Sequence, residues 1–185
     1  FTLNYFINGH KIPDSHWYRD PREGTRVCGN IGHWIDLSIH ILNWRPQLPQ
    51  YLNIIISYSN KNDMDDNFNI TIISDIGDLI NITMTSRTEP FEGISESINM
   101  QLGNLIARID DFRSLNIWFG SDELKEKYSQ KDVGHEHAVL QPFKNNQMRP
   151  ISEIKIGTYI MLFIKDMVLD GLEKGTVDLK SLEIK

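Results

Sequence analysis

The chain has 185 residues, 40% hydrophobic and 24% charged, with a formal charge of −6. That is the size and make-up of one globular domain able to bury its own core, and a mildly acidic chain without a Lys/Arg cluster is a poor match for a nucleic-acid backbone. One cysteine, Cys28, excludes an intrachain disulfide and fits a reducing, cytoplasmic setting, and no apolar run reaches the length of a membrane span.

Residues 2–8 alternate in polarity and predict a strand. A loop over 9–24, rich in Gly, Pro, Asp and aromatics, follows; irregular connections of that length are usually functional. A helix is expected over about 25–43, stopped ahead of Pro46. From residue 51 the period changes to two, with strands expected near 51–59, 67–74, 79–86, 94–102, 105–110 and 113–119. Two further helices are expected over about 132–146 and 152–172. The fold class is therefore α+β: an open, mostly antiparallel sheet with helices on one face. The strands place Leu52, Ile54 and Ile56, then Ile70 and Ile72, then Ile80, Ile82 and Met84 on the helix side. The opposite side carries Asn, Ser and Thr but few charges, so it is expected to stay free for oligomerisation as a homo-dimer or tetramer. A plain solvated face is the alternative.

Three clusters carry candidate chemistry. In the loop, Trp17 offers a stacking platform and Arg19 a fork of donors, with His16 and Asp20 beside them. Such a set suits a hydroxylated or anionic ligand; a loop pinned by its own ion pair is the simpler alternative. On the first helix, Gly29, Asn30, Gly32, His33, Asp36 and His40 occur together. His33, Asp36 and His40, at i, i+3 and i+7, share a face. They read as a proton-transfer histidine with an orienting Asp36, as a divalent-metal site for a hydrolase, or as satisfied core residues. Glycine costs about 1 kcal/mol inside a helix, so Gly29 and Gly32 suggest close approach of a ligand or another backbone. The third cluster is Asp132-Val133-Gly134-His135, where His135 faces a cleft or is part of an exposed capping turn. The chain carries no P-loop, dinucleotide glycine fingerprint, nucleophile elbow or cysteine metal pattern.

The run Asn4-Tyr5, Asn8-Gly9, Ile12-Pro13, His16-Trp17, Asp20-Pro21, Gly24, Arg26, Gly29 and His33 to Leu37 resembles the start of the C-terminal domain of the glucose–fructose oxidoreductase / inositol dehydrogenase (Gfo/Idh/MocA) family. Asp110 to Arg113, Lys131-Asp132, Gly134-His135 and Pro150-Ile151 follow in the same order. The resemblance implies that residues 1–185 form one substrate-binding and oligomerisation domain of an oxidoreductase acting on a sugar or nucleotide sugar. The Rossmann domain that binds NAD or NADP would lie outside this chain, which starts inside a strand, so no cofactor is expected on it alone. By the same resemblance His33 is the catalytic or substrate-orienting histidine. Trp17, Arg19, Asn30, Asp36 and His135 are assigned to the substrate side, and no metal is expected. Many members carry an Asp one turn before the histidine; Gly29 stands there here, with Asn30 beside it. That departure leaves a second reading, a catalytically silent binding or assembly module of the same fold.

Overall fold

The computed structural model describes residues 1–43, 47–59, 62, 65–88, 94–127 and 174–178. The strands are β1 (Thr2–Asn8), β2 (Tyr51–Tyr58), β3 (Phe68–Ser74), β4 (Leu79–Thr85), β5 (Ser95–Leu102), β6 (Leu105–Asp110), β7 (Ser114–Phe119), β8 (Asp122–Lys127) and β9 (Lys174–Asp178). They form one open sheet in the order β8-β7-β6-β5-β1-β4-β3-β2-β9. Strand β1 lies in its middle, parallel to β4 (Tyr5 opposite Ile82) and antiparallel to β5 (Tyr5 opposite Ile98). The remaining strand pairs are antiparallel. The α+β class and the open, mostly antiparallel sheet expected from sequence are what the chain adopts.

Alternation fixes which face is buried, because successive strand side chains point to opposite sides. Leu3, Tyr5 and Ile7, then Leu52, Ile54 and Ile56, then Ile70 and Ile72, then Ile80, Ile82 and Met84 are all buried. Each Leu or Ile removed from water in this way contributes about 1.5–3 kcal/mol. Helix α1 (Gly32–Leu42) belongs to the same core through Trp34, Ile35, Leu37, Ile41 and Leu42. The Trp34 ring packs at 5.2 Å from Tyr5 and 6.0 Å from Phe112. Ser38 Oγ donates to the Trp34 carbonyl (2.7 Å) and lies 3.1 Å from the buried Tyr5 hydroxyl. At the C-terminal end of the helix, the backbone N–H and side-chain amide of Asn43 both reach the Ile39 carbonyl. Phe112 reaches Trp34 from the β6–β7 hairpin, where Asp111 and Phe112 both have positive φ (48° and 50°). Burial of the Phe112 ring offsets the cost of that backbone.

Several boundaries differ from the sequence reading. The expected helix over 25–43 is not uniform: Val27–Ile31 form a π-turn ahead of α1. The 9–24 loop contains two short 3₁₀ turns, Trp17–Arg19 and Pro21–Glu23. His16 and Asp20 cap them by accepting from the backbone N–H of Tyr18 and Arg22. Strands β8 and β9 are additional to those expected. The helices expected over 132–146 and 152–172, and with them His135, lie outside the described residues. Among the described residues no helix is long and apolar enough to cross a membrane.

Candidate functional site

Of the described candidates, Arg19 and Asn30 lie at one end of the sheet, where β1 and β4 finish, β3 begins and α1 starts, and His33 and Asp36 follow on α1. Gly9 continues β1 pairing by donating to the Thr85 carbonyl (2.8 Å). The chain then leaves the sheet, runs through the two 3₁₀ turns and reverses at Gly24 (φ 88°) and Thr25 (φ 60°). A buried β-branched residue at positive φ is strained. Thr25 is held there by its side chain: its hydroxyl bonds the Asp65 carboxylate and accepts from Val27 N–H (3.3 Å).

An ion-pair network locks this loop to the β2–β3 turn. Arg26 is almost wholly buried (1% exposed). Its guanidinium donates to Asp66 Oδ1 (2.7 Å), the His10 carbonyl (2.5 Å) and Asn30 Oδ1 (3.1 Å). Arg19 takes the other Asp66 oxygen (2.6 Å) and the Ile12 carbonyl (3.1 Å), with Asp65 at 3.7 Å. Asp66 thus joins a loop arginine to the arginine that precedes the π-turn. A Cβ on Gly9 would stand 2.5 Å from Arg26 Nη2 and Met84 Cε, so glycine makes the space for this guanidinium. Asp65 is the less well satisfied carboxylate: burial pushes it up to about 6, against the hydrogen bonds from Arg26 N–H and Thr25 and the charge of Arg19. Its Oδ1 and the Nε of Arg19 are buried without a hydrogen-bond partner.

The sequence candidates occupy distinct places in this arrangement. Arg19 is engaged with Asp66, and Asn30 is buried with its carbonyl oxygen turned to Arg26. Trp17 is 55% exposed at the loop surface, its ring 4.1 Å from Tyr18 and 5.9 Å from His16. His33 is half-buried in the first turn of α1, its Nε2 shielded from solvent and its ring 4.6 Å from that of Trp34. Asp36 is half-buried one turn further on. The close approach at Gly29 is made by a side chain and not by the ligand or backbone expected from the sequence. A Cβ there would lie 2.3, 2.5 and 2.7 Å from Cε1, Cζ and Cδ1 of Tyr18, whose ring rests on the helix backbone. His33, Asp36 and His40 do not converge on a metal position among the described residues. A rise of about 1.5 Å per residue separates the two imidazoles by about 10 Å along the axis, too far for one ion.

Sequence reasoning missed Asp65 and Asp66, and it gave Tyr18, a member of the loop cluster, no role of its own. The two aspartates sit in the polar stretch between β2 and β3, which reads as an ordinary turn. Their signal was the pair of unmatched arginines, Arg19 and Arg26, across a gap of some forty residues.

The far face of the sheet is also built to a pattern. Side chains facing away from the core on β1 to β5 include Asn4, Phe6, Ser57, Asn69, Thr71, Asn81, Thr83, Ser97 and Asn99, and none on that face of these five strands is charged. Charges return with Arg108, Glu123 and Lys125 on β6 and β8. Many polar groups satisfy one another. Asn81 donates to Asn4 (2.9 Å), Asn69 donates to Thr83 (3.0 Å), and the Thr71 hydroxyl lies between the amide oxygens of Asn81 (2.9 Å) and Asn69 (3.1 Å). At one end a concave area of about 360 Å³ opens between Phe6, Ser57, Asn69, Thr85 and Arg87.

No protein-family model matches this sequence, and no curated protein does. Solved structures match its fold. It is similar to levoglucosan dehydrogenase in complex with NADH and levoglucosan (TM-score 0.65, 10% identity, covering 95% of this chain and 58% of that one). A Gfo/Idh/MocA family oxidoreductase from Vibrio cholerae gives 0.52 at 14% identity, covering 92% and 53%. A UDP-N-acetylglucosamine 3-dehydrogenase from Acidithiobacillus ferrooxidans gives 0.53 at 11%, covering 90% and 51%. The chain spans about half the length of the structures it matches. The resemblance drawn from sequence therefore holds at the level of fold.

Proposed function

We propose that this chain, which has the fold of about half of a Gfo/Idh/MocA oxidoreductase, is the C-terminal substrate-binding and oligomerisation domain of an NAD(P)-dependent enzyme acting on a sugar or nucleotide sugar. The observation that carries the reading is the match to an NADH-bound sugar dehydrogenase over 95% of the chain. The site at the sheet end supports it: an exposed indole, a loop pinned by buried ion pairs, and a histidine on the adjoining helix.

The described residues do not fit the cofactor itself. Helix α1 is entered through a continuous π-turn and not through a glycine-rich turn after a strand, so it lacks the usual phosphate cradle. The dinucleotide belongs on another segment, and when bound it supplies the hydride acceptor. This chain's part is to hold the sugar and to handle a proton. Imidazole exchanges protons near neutral pH, which suits His33 to take the hydroxyl proton as a carbinol is oxidised. The uncharged sheet face is the surface for a second copy: Asn4, Asn69, Thr71, Asn81 and Thr83 already bond one another, so burying them costs less desolvation than burying charges would.

The test is a screen of the native protein containing this chain for sugar-dependent reduction of NAD⁺ or NADP⁺, with His33→Ala as the control. Loss of a general base is expected to lower kcat by about 10²–10⁴-fold. Near-normal turnover in His33→Ala removes the histidine from the chemistry. A silent assembly module has one observation in its favour: Gly29 stands where the resemblance expects an Asp, and the Tyr18 ring covers it. Absence of turnover across the screen, with an intact dimer, selects that second reading.

A further inference from the structure

We infer that the Tyr18 hydroxyl is a second substrate-contacting group, carried by the 9–26 loop onto the helix turn that precedes His33; the inference deepens the reading of His33 given above. Nothing in the sequence pairs these residues, because Tyr18 belongs to a loop and His33 to a helix. Gly29 connects them. It sits inside the π-turn, one turn before His33, at a position where glycine costs about 1 kcal/mol relative to alanine. The space that its missing Cβ leaves is occupied by the phenol end of Tyr18, Cε1 and Cζ. Gly29 stands four residues before His33, so the two positions are neighbours along one side of the helix, and the turn on which the phenol rests adjoins the turn that carries the imidazole.

The ring is held in place rather than merely lying there. Tyr18 N–H donates to His16 Nδ1 (3.1 Å), and the Tyr18 ring meets those of His16 and Trp17 edge-on at 4.8 and 4.1 Å. The next residue, Arg19, is tied to Asp66. Tyr18 is half-buried and adjoins the largely exposed Trp17. An indole face and a phenolic hydroxyl side by side suit a pyranose-like polyol: the C–H face of the sugar stacks on the ring, and a neutral O–H donates to or accepts from its hydroxyls. A π-turn near such a place agrees with the frequent use of these turns at functional sites.

Tyr18→Phe tests the inference, since it keeps the ring on Gly29 and removes only the hydroxyl. In the native protein, with whichever sugar and nicotinamide it turns over, the variant is expected to keep its Tm and lose about tenfold in kcat/KM, the worth of one hydrogen bond made to substrate. Unchanged kcat/KM overturns the inference and leaves Tyr18 a packing residue. A second measurement is independent of turnover. With tyrosine labelled by ¹³C at Cζ, the Tyr18 signal, identified by its loss in Tyr18→Phe, is followed between about pH 5 and 8, where an imidazole titrates. Because the His16 ring touches that of Tyr18, the measurement is made in a His16→Asn background, where the signal is expected to shift across this range and to stay flat once His33→Ala is added. Coincident curves overturn the pairing. A pH-coupled signal in a protein that turns over no sugar keeps the pair and removes the oxidoreductase reading.

Discussion

Asp65 shows how one side chain carries a pH dependence. Its carboxyl is buried with one oxygen unpaired, and its value is raised from 3.8 to about 6. A folded value above the unfolded one means that the protonated form favours the folded state. That contribution is complete below about pH 4 and is lost as pH rises through 6. Asp65→Asn keeps an acceptor for Thr25 and Arg26 and removes the charge. It is therefore expected to raise stability by about 1–2 kcal/mol at pH 7.5, less than the full shift implies because the group is partly solvated. Little change is expected at pH 4; urea unfolding at the two pH values measures it, and equal differences at both would contradict the assignment. Gly29 makes a different prediction. Alanine there gains about 1 kcal/mol of helix propensity but must displace the held Tyr18 ring at a cost of about 1–3 kcal/mol, so a net loss of up to about 2 kcal/mol is expected together with a change in the near-UV dichroism of the aromatic loop.

At the scale of elements, Asp66 decides whether the loop and the helix start behave as a unit. It pairs with Arg19 at 2.6 Å and Arg26 at 2.7 Å, and Arg26 goes on to Asn30 in the π-turn. Removing one partner of a buried charge costs more than the pair is worth, because the other charge stays desolvated. Asp66→Ala is accordingly expected to destabilise by about 3 kcal/mol and to open the 9–26 loop to proteolysis; a cost below 0.5 kcal/mol in denaturant would show that the network is dispensable. Much of this level was legible beforehand. The period-two runs of β2, β3 and β4 placed the correct residues inward, since alternation alone sets the buried side of a strand. The loop over 9–24 was marked by its length and aromatics, and the glycine at 29 by its cost. The ion-pair network was not legible, because its partners come from segments some forty residues apart. Nor was the π-turn, which has the same apolar spacing as the helix it interrupts.

For the whole molecule, the open sheet presents a face without charge across five strands, with several of its amides and hydroxyls bonded to one another and Phe6 half-exposed in its middle strand. If a second copy covers that face, Phe6→Lys should yield a folded monomer: light scattering should halve the mass while the thermal transition of the domain persists. An unchanged mass would place the contact elsewhere. The sequence by itself determined the fold class, the inward residues of the sheet and the loop and helix where chemistry is sought. Hydrophobic periodicity and turn composition are local properties, and they suffice for that. Only the tertiary structure decided that β1 lies in the centre beside β4, that Arg19 and Asn30 are held by Asp66 and Arg26, and that Tyr18 covers Gly29. Each of these depends on segments distant in the chain meeting in space. A buried charge takes whichever partner the packing brings within hydrogen-bond reach.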